Sequence, residues 1–88
     1  MYDIRIKIAT GLNVDTPEGV VSFPPNEWVT MKPKYSQWPE LTTLTDNAQA
    51  MGVSIQDQNE DVWACSELTA QESRAICVKA ISFLARMN

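Results

Sequence analysis

The chain contains no histidine, and this absence removes more chemistry than any residue present supplies. Without imidazole no Ser-His-Asp or Cys-His pair can be assembled and no His-containing zinc site can form, while two cysteines fall short of the four thiolates of an all-cysteine zinc site. Most hydrolytic mechanisms fall away, and the expectation is a protein that is not an enzyme and uses no cofactor or metal. Two cysteines are also too few for a disulfide framework. Cys65 lies in a stretch without any Lys or Arg to stabilise a thiolate, and Cys77 sits among Ile76, Ala80 and Ile81, so both read as buried free thiols rather than nucleophiles.

Long apolar runs are missing as well. No segment approaches the ~20 residues of a membrane helix, and Met1-Tyr2-Asp3-Ile4-Arg5 alternates where a signal peptide would run apolar. These features place the chain in a cytoplasm, away from membranes. Positive charge is the third deficit. Between Tyr35 and Ser73 there is no Lys or Arg, yet Glu40, Asp46, Asp57, Glu60, Asp61, Glu67 and Glu72 all fall there, in a chain of net charge -4. Such a stretch cannot neutralise itself from within, so it attracts basic partners and repels nucleic acid and anionic membrane.

What is present suffices for a core. With 88 residues and 44% hydrophobic content, the chain is long enough for one domain over residues 1–88 and too short for two. Tyr2, Ile4, Ile6 and Ile8 alternate with Asp3, Arg5 and Lys7, the period of a half-buried strand through Ala9. Asp15-Thr16-Pro17-Glu18-Gly19 predicts a reversal into a strand at Val20 to Phe23, Pro24-Pro25 ends it, and Glu27 to Met31 predicts a short edge strand. Leu41, Leu44, Ala48 and Met51 recur at helical spacing between Pro39 and Gly52, despite three helix-weakening threonines. Val53 to Gln56 and Val62 to Cys65 predict a second hairpin around Asp57-Gln58-Asn59-Glu60-Asp61, with Asn59 suited to a left-handed turn. Thr69-Ala70-Gln71-Glu72 is a capping box opening a last helix, whose apolar face holds Ile76, Cys77, Ala80, Ile81, Leu84 and Met87. The expected fold is α+β: a small antiparallel sheet of four to five strands with two helices on one face, in the order ββ(β)αββα.

Three local patterns bear on function. Asp57 to Asp61 begins like a calcium loop, D-x-N-x-D, but Val62 and Leu68 replace its turn glycine and closing glutamate. Ala48 to Ser54 has the small-residue and glycine spacing of a helix-turn-helix, but the segment that would read DNA, Gln56 to Asp61, carries three carboxylates. Phe23 to Glu40 gathers Trp28, Tyr35 and Trp38 with Pro24, Pro25, Pro33 and Pro39, and stiff aromatic loops make good binding surfaces. The expectation is a non-enzymatic interaction protein of the immunity-protein or phage-encoded inhibitor type. It would dock a basic-surfaced protein partner through Trp28, Tyr35, Trp38, Asp57, Glu60, Asp61 and Glu67. A homodimer or homo-oligomer built on a Trp-rich face is the alternative, and a small-molecule binder or minor enzyme the second alternative. Trp63, in a predicted strand, is expected in the core.

Overall fold

The computed structural model describes residues 3–87; Tyr2, expected on the first strand's apolar face, lies outside them. Strand β1 (Arg5–Ile8) lies inside the four-stranded sheet, with its alternating Ile6 and Ile8 buried. It lies antiparallel to β4 (Trp28–Thr30) on one side and β5 (Val53–Gln56) on the other, and β6 (Val62–Ala64) closes the sheet beyond β5. The predicted edge strand and second hairpin are both present in this order, β4-β1-β5-β6.

The first hairpin forms apart from this sheet. β2 (Leu12–Thr16) and β3 (Gly19–Phe23) pair only with each other, joined by the Pro17-Glu18 turn. The reason is a tight bend after β1, where the Gly11 N–H donates to the Ile8 carbonyl at 3.0 Å and Gly11 takes φ 70°. Both edges of β1 are occupied by β4 and β5, so β2 and β3 leave as a separate ribbon whose Val14 and Phe23 rejoin the core.

Helix α1 (Pro39–Asp46) is shorter than its periodicity suggested. It ends at Asn47, whose backbone leaves helical geometry at φ -121° and whose side chain donates to the Thr43 carbonyl. Residues 47–52 continue as turns that still bury Ala48, closing with Gly52 at φ 64°. Helix α2 (Ala70–Arg86) opens with the predicted capping box, Thr69 and Glu72 each accepting from the other's backbone N–H. Its buried stripe is Ser73, Cys77, Ala80 and Leu84. Ile76 and Ile81, expected on that apolar face, sit only partly buried at its margins, and Met87 is exposed. Helix α2 packs against α1, β5 and the 3-10 turn Pro33–Gln37, and the small side chains of Ser73, Cys77 and Ala80 allow that close approach.

Burial alternates across the four-stranded sheet. Ile6, Ile8, Val53 and Ile55 are buried and belong to the same core cluster as Leu41, Leu44 and Leu84 of the helices. On the opposite face two cross-strand rows, Thr30-Arg5-Gln56-Val62 and Trp28-Lys7-Ser54-Ala64, keep intermediate or full exposure.

Candidate functional site: an acidic hairpin carrying an exposed tryptophan

The loop between β5 and β6 is built around one carboxylate. Asp57 Oδ1 accepts the backbone N–H groups of Asn59 at 2.9 Å and Asp61 at 3.0 Å, while Oδ2 accepts the Trp63 indole N–H at 3.0 Å. Desolvation acts to raise the Asp57 pKa, but the hydrogen bonds from Trp63, Asn59 and Asp61, with the attraction of Lys79, hold it below its ordinary value. Its oxygens are therefore spent on the loop itself. The left-handed position in this turn is Glu60, at φ 66°, rather than Asn59. Backbone bonds from Glu60 to the Asp57 carbonyl and from Asp57 to the Asp61 carbonyl impose that geometry.

Trp63 corrects the expectation of a core residue: it is 40% exposed, and Val62 beside it is 56% exposed. The cause is position, since β6 is an edge strand three residues long with nothing paired to its outer side among the described residues. The Trp63 ring stands on the helix-facing side, against a narrow notch formed with Ile76, Lys79, Ala80 and Phe83 of α2. That notch holds about 40 Å³, room for a water or two.

The seven residues expected to meet a partner do not form one surface. Asp57, Glu60 and Asp61 share the hairpin, and Glu67 lies exposed in the 3-10 turn Cys65–Glu67 just beyond β6. Trp28 lies on β4, at the opposite edge of the sheet, with Arg5 and Lys7 at 5.6 and 5.1 Å from its ring centre. Tyr35 is 5% exposed and belongs to the core, which removes it from any contact surface. It meets Phe23 edge-on and stacks on the half-buried Trp38 at 4.0 Å between ring centres. The Trp-rich segment thus divides between core and two separate surfaces.

The acidic stretch is likewise sorted by its neighbours. Asp46 pairs with Arg74 of α2, Glu72 is consumed by the capping box, and Asp57 by the hairpin. Glu60, Asp61 and Glu67 remain exposed, without an ion pair among the described residues. Val62 and Trp63 were missed by sequence reasoning because an apolar strand reads as core. The available signal was the shortness of the apolar run after the acidic turn, since short strands are common at sheet edges.

Both cysteines are free and buried. Burial, and then the adjacent Cys65 thiol, push Cys77 up to about 12. Among the described residues no helix is long and apolar enough to cross a membrane. The fold and hairpin define a small α+β protein with an acidic, aromatic edge. No family model, curated protein or solved structure matches the chain.

Proposed function

We propose that this is a non-catalytic interaction protein that blocks a basic-surfaced protein partner, and that its contact surface is the β5–β6 hairpin. The observation that carries this reading is the exposed Trp63, held in one orientation by Asp57 and flanked by Glu60 and Asp61. Trp is the residue type most enriched at binding hot spots, and an indole already fixed by a hydrogen bond loses little further entropy on docking. Glu60, Asp61 and Glu67 supply the field that attracts a cationic surface, and Val62 extends the apolar contact along the strand edge. Cys77, neutral at physiological pH and buried, offers no accessible nucleophile, in keeping with a role outside catalysis. The three tryptophans lie at separate places, which disfavours an oligomer built on one Trp-rich face. The test is capture of the partner from the source cells with immobilised wild-type protein and with Trp63→Ala and Glu60→Lys/Asp61→Lys beside it. A partner retained equally by all three proteins defeats the proposal.

A further inference from the structure

We infer that the open face of the four-stranded sheet is a second binding site, of opposite charge preference, which takes an extended acidic segment of a protein. Arg5 and Lys7 stand two residues apart on the central strand, on the face away from the helices. Neither has a carboxylate within ion-pair distance among the described residues, where the ion pairs are Lys34 with Glu18 and Arg74 with Asp46. In a protein of net charge -4 with eleven acids available, two half-buried cations left without a carboxylate on one strand are a specific feature.

The geometry selects the occupant. Residues two apart on a strand are separated by about 6.6 Å, which is also the separation of alternate residues in an extended peptide. Carboxylates at alternate positions of an extended segment therefore meet Arg5 and Lys7 in register. Gln56 Oε1 accepts from Arg5 Nη1 at 3.1 Å, which orients the guanidinium and leaves its other N–H groups for a carboxylate fork. Next to Lys7 the row continues through Ser54 and Ala64, side chains small enough for a backbone to approach. Trp28 lies beneath the two cations and holds both by cation–π contact, with Arg5 and Lys7 at 5.6 and 5.1 Å from its ring centre. Two cations are too few to hold a phosphate backbone against the protein's overall negative charge, so the same face does not favour nucleic acid. Asp3, exposed two residues before Arg5, bounds the site at one end and limits it to two carboxylates.

The site is tested with the intact chain and a capped peptide of alternating Ser and Glu, six residues long, titrated calorimetrically at about 150 mM salt, where remote charges are screened beyond about 8 Å. Expected are saturable binding, amide shifts in a nitrogen-15 spectrum confined to β1, β4 and β5, and at least tenfold weaker binding by Arg5→Gln/Lys7→Gln. An isomeric peptide with its three Glu at positions 1, 4 and 5, no two of them two residues apart, should bind several-fold more weakly. Absence of binding, equal affinity for the two peptides, shifts centred elsewhere, or tighter binding of a ten-nucleotide oligothymidylate would each overturn the assignment. Should the double variant lose its circular-dichroism melt, the wild-type shift map and the peptide comparison still decide.

Discussion

The indole N–H of Trp63 donates to Oδ2 of Asp57 at 3.0 Å, tying an exposed aromatic on an edge strand to the carboxylate that also organises the preceding turn. Each residue has a local role, but together they convert a flexible acidic loop into a fixed surface feature. The hairpin's consequences for binding and for pH dependence both follow from this bond.

Trp63→Ala should separate binding from folding. Because the ring is 40% exposed, its loss should cost no more than about 1 to 2 kcal/mol of stability, mostly the hydrogen bond and the contact with α2. Affinity for a captured partner should fall at least tenfold, the loss expected of a central interface Trp worth about 2 kcal/mol. Trp38→Ala should do the reverse. It breaks the 4.0 Å stack on Tyr35 and opens the core, costing about 2 to 4 kcal/mol in urea melts with little effect on the binding of folded protein.

Stability should fall at both ends of the pH scale, for opposite reasons. Asp57 and Glu72 have ordinary values of 3.8 and 4.5 and are held lower in the folded chain. For Asp57 the loop hydrogen bonds overcome desolvation, and for Glu72 the Thr69 backbone and side chain are responsible. A depressed folded pKa gives stability that is complete above the unfolded value and is lost as pH falls through the folded one. Thermal melts should therefore decline below about pH 4, less steeply in Asp57→Asn. Cys77 works in the other direction: its thiol is raised from 9.0 to about 12, so its contribution is complete below 9.0 and lost as pH climbs toward 12. Cys77→Ala should flatten the alkaline limb, and thiol reagents at neutral pH should find both cysteines only after denaturation.

Ile6→Ala tests the central strand. Ile6 is 1% exposed, between Val29 on β4 and Ile55 on β5. Removing its branched side chain should cost about 2 to 5 kcal/mol through lost burial and a residual cavity. A change below about 1 kcal/mol in urea melts would contradict that placement.

Gly52→Ala should be more damaging than an ordinary turn substitution. Gly52 takes φ 64°, and an added Cβ would stand 2.6 Å from the Ala9 Cβ, so the new methyl meets both left-handed strain and a collision with the end of β1. Left-handed backbone alone costs about 1 to 2 kcal/mol for a residue with a side chain. Relief of the collision should appear as partial recovery of the melting temperature in Gly52→Ala/Ala9→Gly relative to Gly52→Ala.

Local rules made much of the fold legible. The alternation of Ile4, Ile6 and Ile8, the Thr69 to Glu72 capping box and the hairpin around Asp57 to Asp61 each rest on contacts within a few residues, so the sequence carries them directly. The end of α1 at Asp46 was less legible, because periodicity continues to Met51 while the backbone leaves helical geometry at Asn47. The candidate site was half legible: the acids were visible, but the exposure of Trp63 was not.

The amino-acid sequence by itself determined the element order apart from β2, where no strand was expected, together with the absence of histidine chemistry and the one-signed charge from Tyr35 to Ser73, because composition and short-range periodicity need no partner to act. Only the tertiary structure decided which aromatics face solvent and which acids stay free. Trp63 is exposed and Tyr35 buried because β6 falls at the sheet edge while the Pro33–Gln37 turn packs on α2, and Asp46 is neutralised because α2 brings Arg74 beside it. These are contacts between residues distant in the chain. Burial and ion pairing depend on that three-dimensional neighbourhood, which no local pattern specifies.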